Sequence, residues 1–412
     1  MKKRASLLLF VLTGVFSCQK HTVGLNKPLI LPADGIGVVE ANNQFALTFF
    51  QASLQQDSTR DNKLISPLSI YLALSMVYNG AGTSTKDSMA KALQLGSVQT
   101  DQLNAVNKAL ITGMPAEDSR VSLSIANSLW YRQGSIDPLP AYLDTVKNDY
   151  RGEARALNFN DPNAINTINQ WVAQNTHNKI PTVIRAIEPT DMMFLIDAVY
   201  FKGSWLHAFE TSDTQTGVFH LQGGNSVNTP FMQQTGQLRM FADSTLTLVE
   251  LPYGSGNSYA LELILPNNPQ LPIDQFAASL DAGRLKGAIS GLDTQRVQLV
   301  LPKWEYAYAI EDMRPALSTL GMGIAFNGGA DFSGMYDASQ IKLSISQAIH
   351  KTYIKVDEEG TEAAAVTGIG VGTTAIPELT PIKADHPFLY TILEKQSGSI
   401  LFLGVVNDPS KN

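Results

Sequence analysis

The chain has 412 residues, 44% of them apolar and 16% charged, with a formal net charge of −7. That composition supports a large core and excludes a disordered chain. The acidic balance and the lack of any basic tract exclude a nucleic-acid binder, which needs clustered Lys and Arg as a phosphate footprint.

The first element is a targeting segment. Lys2, Lys3 and Arg4 precede the apolar run ASLLLFVLTGVF, and VFSC follows. The run is too short for a membrane-spanning helix, which needs about 20 apolar residues. Val15-Phe16-Ser17-Cys18 resembles a bacterial lipobox, in which Cys18 is lipidated and becomes the mature N-terminus. Phe16 is unusual at the middle position, so an ordinary signal-peptidase cut nearby is the alternative. Cys18 is the only cysteine, which leaves the exported domain without disulfide or thiol chemistry. The expectation is a membrane-anchored lipoprotein of the periplasm or cell surface, or else a secreted protein. Residues 19–37 are polar with Gly and Pro and read as a tether between the leader (1–18) and one folded domain (38–412).

Helices come early. EANNQFALTFFQASLQQ carries apolar residues at helical spacing. SPLSIYLALSMVYNGAG does the same, with Ser66 as N-cap and Pro67 at the first helical position. DPNAINTINQWVAQNTHNKI offers Asp161 as a cap with Pro162 after it. Strands follow: SLSIANSLWYRQ, MMFLIDAVYFKG, LTLVELPY, YALELILP, VQLVLPKWEY and ISQAIHKTYIKVDE are alternating, β-branched or aromatic. PFLYTILEK and SILFLGVV, joined by QSGS, read as a hairpin. Helices gathered early and strands gathered late predict an α+β fold with substantial antiparallel sheet.

Catalytic apparatus is not legible. The sequence holds no G-x-S-x-G elbow. The histidines (21, 177, 207, 220, 350, 386) include no i, i+4 pair for zinc, and no cysteine accompanies them. GAGTSTK at 80–86 lacks the glycine that a phosphate loop places before its lysine, and reads as a helix end and turn. GIGVG at 368–372 is not G-x-G-x-x-G. The expectation is a protein that is not an enzyme and uses no cofactor or metal.

The segment EEGTEAAAVTGIGVGTTAIPEL, residues 358–379, is written half as loop and half as strand. Split by parity, Thr361, Ala363, Ala365, Thr367, Ile369, Val371 and Thr373 form one small or β-branched face without charge. Glu362, Ala364, Val366, Gly368, Gly370 and Gly372 form the other. No proline interrupts it before Pro377. It is either a flexible Ala/Gly loop or a strand waiting for a sheet.

IKVDEEGTEAAAVTG resembles the reactive-loop hinge of the serpins. LISPLSIYLALSMVYNGAG, SIANSLWYRQG, INQWVAQNTHNKIPTVI, DAVYFKGSWLHAF, VELPYG, LPKWEY, FSGM and HPFLYTILEKQSGSILFLGVV also resemble serpin segments, in the family's order. The resemblance implies about three β-sheets with a large central one, eight to nine helices, and an exposed reactive-centre loop at about 358–380. It implies a monomer that traps a serine or cysteine protease covalently: the cut loop inserts as a strand in the central sheet and distorts the acyl-enzyme. The alternative within the family is a non-inhibitory, binding or chaperone-like member. The hinge Glu358, Gly360, Thr361, Glu362, Ala363, Ala364 and Ala365 has the small, uncharged core-facing parity that insertion requires, which favours trapping.

Counted from Glu358, the family's scissile bond falls at Thr374–Ala375. Counted back from His386-Pro387-Phe388, it falls at Ile376. Neither Lys nor Arg lies between Lys355 and Lys383, so an elastase-like or subtilisin-like target fits better than a trypsin-like one. The resemblance puts Ser66, Ser69, Asp197 and His350 behind the central strands and Trp205 where the loop enters. Asp197 stands where the family usually has Asn. Its carboxyl needs a partner: either His350, or serine hydroxyls and backbone alone.

Overall fold

The computed structural model describes residues 27–411 except 34, 58, 338, 340, 341 and 362–378. In chain order it runs α1 (Gly35–Gln56), β1 (Lys63–Ile65), α2 (Pro67–Gly80), α3 (Thr83–Ala92), α4 (Thr100–Gly113), β2 (Val121–Arg132), α5 (Pro140–Asp149), β3 (Glu153–Leu157), α6 (Ala164–Asn175) and β4 (Met193–Ser204). It continues with β5 (Gln215–His220), β6 (Ser226–Ala242), β7 (Leu246–Pro252), β8 (Tyr259–Pro266), α7 (Ile273–Ala278), α8 (Ala282–Ser290), β9 (Asp293–Pro302), β10 (Trp304–Ile310) and α9 (Arg314–Leu317). Last come β11 (His350–Asp357), β12 (Gly360–Thr361), β13 (Thr380–Lys383), β14 (Phe388–Glu394) and β15 (Ile400–Val406).

The fold is α+β, as expected. A central six-stranded sheet has the order β10-β11-β12-β4-β2-β3. The other two expected sheets are joined through β6, whose start pairs with β5 and whose end pairs with β7, into a hydrogen-bonded network of nine strands. Pro302 ends β9, so VQLVLPKWEY is two strands rather than one.

α2 lies between β4 of one sheet and β15 of the other. Its residues are buried on nearly every side, which explains an apolar run without a polar face. Ser66 caps it, its hydroxyl accepting from the Ser69 N–H at 3.4 Å, and Pro67 occupies the first turn, where no N–H is needed. α1 buries Val38, Asn42, Phe45, Phe49 and Phe50 along one stripe. Residues 81–82 join α2 to α3, so GAGTSTK is the end of one helix, a two-residue link and the first turn of the next.

Two expectations are corrected. α6 begins at Ala164 and not at Pro162, because Asp161 accepts from the Asn163 N–H at 2.8 Å and closes a turn ahead of the helix. ISQAIHKTYIKVDE is a strand only from His350 onward. Residues 342–349 have no strand beside them among the described residues, and their backbone bonds go to the chain on either side of α9: Ile345 N–H donates to Ala325 O at 2.9 Å, and Ala348 O accepts from Met313 N–H at 2.7 Å.

Candidate functional site: a slot in the central sheet

β4 and β11 run parallel to one another with no direct pairing between them among the described strands. The two residues of β12 fill the gap at its top. Thr361 stands between Val356 and Gly203, and Gly360 between Asp357 and Ser204, antiparallel to both neighbours. The seat is tight. A Cβ on Gly360 would lie 2.1 Å from the Gly203 carbonyl oxygen, and its φ of +144° suits only glycine.

The side chains around β12 lock that entry. Thr361 is 3% exposed, and its Oγ1 lies 2.7 Å from the Tyr253 hydroxyl. Tyr253 stacks on Trp205 with ring centroids 4.4 Å apart. Trp205 Nε1–H donates to the Asp357 carbonyl at 2.9 Å, and its backbone N–H donates to the Glu359 carbonyl at 3.0 Å. Glu358 sits at the turn into β12. Burial would raise its pKa, but Lys303 Nζ at 2.8 Å and the Thr214 hydroxyl at 2.8 Å outweigh it and hold the carboxyl below its ordinary range.

Below β12 no described strand fills the gap. A cavity of about 510 Å³ separates β4 from residues 342–351, lined among others by Ser69, Met193, Asp197, Ile345 and His350. Its lower end is tied shut at Asp191, whose carboxylate accepts from the Ser346 hydroxyl and from Gln347 Nε2, each at 2.7 Å.

Ser66, Ser69, Asp197 and His350 come together at mid-slot, as expected, but Asp197 and His350 form no pair. His350 Nε2 accepts the Ser66 backbone N–H at 2.9 Å, and the Ser66 hydroxyl donates to Leu401 O at 2.8 Å. Burial pushes His350 down to about 3, so it is neutral. Burial pushes Asp197 well up, only partly offset by Ser69, and neither carboxyl oxygen has a clear hydrogen bond among the described residues. The ion pair fails for a physical reason: two groups both neutralised by desolvation have no charge to share. An inhibition profile controlled by His350 near pH 6–7 is therefore not expected.

Stability should respond instead. The unfolded chain takes up a proton at His350 below about 6.5, while the folded chain refuses it until about 3. Folding stability should fall as pH drops through that window, by at most about 1.4 kcal/mol per unit from this group. Urea midpoints of the parent and His350→Gln chains between pH 4 and 7 check this, and the variant should lose part of the slope.

Trp205 stands at the entry, as expected. Glu358 lies at the turn into β12, and Gly360 and Thr361 form β12. Glu362, Ala363, Ala364, Ala365, Thr374, Ala375, Ile376 and Cys18 lie outside the described residues. Sequence reasoning missed Tyr253, Lys303 and Asp191. The first two sit in VELPYG and LPKWEY, which signalled the family without assigning a role to either residue.

The fold is an α+β one whose central sheet keeps β4 and β11 apart, with Gly360 and Thr361 seated between them at one end. The chain belongs to the serpin family: the family model for "Serpin (serine protease inhibitor)" matches residues 40–409. It is 32% identical to an uncharacterized serpin-like protein of Thermococcus kodakarensis over 90% of this chain and 86% of that one. It is 31% identical to the mouse plasma serine protease inhibitor over 98% of both chains. Among solved structures it resembles tengpin, a thermophilic serpin, in its native state (TM-score 0.83, 29% identity, 93% of this chain and 96% of that one). Its likeness to the same protein in the latent state is lower, with a TM-score of 0.77 and 27% identity over 90% of this chain and 97% of that one.

Proposed function

We propose that this chain is a suicide inhibitor of serine or cysteine endopeptidases that traps the acyl-enzyme by inserting its cut loop between β4 and β11. The observation that carries the reading is β12, whose Gly360 and Thr361 sit between β4 and β11 while no described strand fills the slot below them. Continuing that register would set residues 362–371 against residues 202–193 of β4. Residue 367 would then fall between Asp197 and His350. The core-facing parity that Thr361 begins is the small, uncharged one.

The absence of Lys and Arg from residues 356–382 favours an elastase-like or subtilisin-like target, with the cut at Thr374–Ala375 or at Ile376. The basic start, apolar run and Cys18 support an exported lipoprotein held by its tether at the periplasmic face or cell surface. The competing reading is a non-inhibitory serpin; the unobstructed hinge speaks against it.

Purified protein mixed with elastase, subtilisin and trypsin, then followed by denaturing gels and intact mass, tests the proposal. The expected result is a denaturant-stable complex with one of the first two enzymes and a released peptide beginning at Ala375 or nearby. Cutting without any complex would establish the non-inhibitory reading.

A further inference from the structure

The two sides of the slot are anchored to different parts of the fold at its lower end. Residues 188–192, at the start of β4, are held by the last residue of β2. Arg132 Nε–H donates to the Asp191 carbonyl at 2.8 Å, its Nη2–H to the Glu188 carbonyl at 3.0 Å, and its backbone N–H to the Met192 carbonyl at 2.8 Å. Residues 345–348, ahead of β11, are held from the chain on either side of α9, through the Ala325 carbonyl and the Met313 N–H. Asp191 joins the two. It is 1% exposed, and its carboxylate accepts the Glu188 N–H at 2.8 Å from its own side. From the far side it accepts the Ser346 hydroxyl and Gln347 Nε2–H, each at 2.7 Å. The ion pair between Arg185 and Glu311 also links the two sides, but both side chains are more than half exposed, and such pairs hold little.

The register of β12 shows what an incoming strand would meet there. Carried on unchanged, it would set residue 370 against Gln347, residue 371 between Met193 and Ser346, and residue 373 between Asp191 and Ser344. Residues 362–369 would stop above the donors of the clasp. A strand lying between two others holds them about 9.6 Å apart, two strand spacings. Asp191 would then stand opposite Ser344, and so out of step with Ser346 as well as a strand away from it. An aspartate and a serine side chain are too short to meet over that distance, and Gln347 could reach only by crossing the incoming strand. Ser346 and Gln347 would leave with the β11 side, while Arg132 keeps Asp191 in place.

We infer that Asp191, with Ser346 and Gln347, is the stop between partial and complete insertion. This rests on the reading of the slot as the seat of the cut loop. A strand that reaches only residue 369 leaves the clasp closed. A strand that reaches residue 374 must open it, at the loss of two hydrogen bonds to a carboxylate, each of which resists opening by about tenfold. The clasp therefore acts on the residues nearest the proposed cut, and yields when the ladder gained by the full strand outweighs those two bonds.

The test adds two synthetic peptides to the intact chain, one with the sequence of residues 362–369 and one with that of residues 362–374, and follows their uptake by native mass spectrometry. The parent should take up the short peptide faster than the long one. Ser346→Ala combined with Gln347→Met, which removes both donors from across the slot, should speed the long peptide at least about tenfold and leave the short one within about twofold. Should that chain not fold, Ser346→Ala alone should give a smaller acceleration of the long peptide only. Ser346→Thr keeps the hydroxyl and should keep the parent rate. Equal acceleration of both peptides, which is general loosening, or no acceleration of either, overturns the clasp and leaves the inhibitor reading standing. Uptake of neither peptide by parent or variants would mean that the slot seats no strand, and both readings would fall.

Discussion

Replacing Thr361 with arginine is expected to turn the chain from a trap into a substrate. Thr361 is the first core-facing residue of the strand proposed to insert; it is 3% exposed, with its hydroxyl on Tyr253 and its backbone between Val356 and Gly203. An arginine there must either desolvate its guanidinium beneath the Trp205–Tyr253 stack or pull β12 out of the slot. Among the described residues no free carboxylate is seated at that point to meet the charge: Glu358 is engaged by Lys303 and Asp357 by Lys355. The cost is of the order of several kcal/mol. It falls on insertion, which competes with hydrolysis of the acyl-enzyme. A barrier about 3 kcal/mol higher slows insertion more than 100-fold, which is enough for hydrolysis to win nearly every time. The denaturant-stable band should vanish, while the rate of loop cutting changes less than about threefold, because the bait itself is untouched. Thr361→Ser keeps the hydroxyl and should retain the complex. A Thr361→Arg chain that still forms the complex would mean that entry at this position does not limit trapping.

The elements that the sequence made legible are those whose pattern is local. The cap and proline of α2, the alternation of β2 and β4 and the QSGS hairpin each follow from neighbours a few residues apart. The hinge face was legible for the same reason, since a period of two needs only the segment itself. What escaped depended on pairs distant in sequence. Tyr253 meets Thr361 and Lys303 meets Glu358 only because β12 has crossed to β4. Residues 345–349 read as strand because they continue the alternating run of β11, but no described strand lies beside them on the slot side, so no ladder forms there. The Asp197–His350 pair failed on electrostatics. A sequence shows that an acid and a base are present, but not that burial removes the charge of both.

Cutting the loop without trapping is expected to leave the chain markedly harder to unfold than the intact protein. In the intact chain the slot-facing backbone of β4 at residues 193–202 has no strand beside it among the described residues, and a cavity of about 510 Å³ lies alongside. Unmade ladder bonds and an unfilled interior both weaken a fold. After cleavage residues 362–371 are no longer tethered at both ends. In continued register they supply two ladders and place Ala363, Ala365, Thr367, Ile369 and Val371 on the face that Thr361 turns toward the core. The carboxyl of Asp197 would gain the hydroxyl of Thr367 as a partner. Ordering that segment costs backbone entropy of about 1–2 kcal/mol per residue. The paired strand, the filled cavity and the satisfied acid offset that cost and leave a surplus. We expect the melting temperature to rise by at least about 10 °C, a few kcal/mol at the usual scale. Thermal melts of intact chain and of chain nicked by a catalytic amount of a loop-cutting protease make the comparison at equal composition. A nicked chain that melts at or below the intact midpoint would mean that the open slot does not receive this loop, and the trapping mechanism would fall with it.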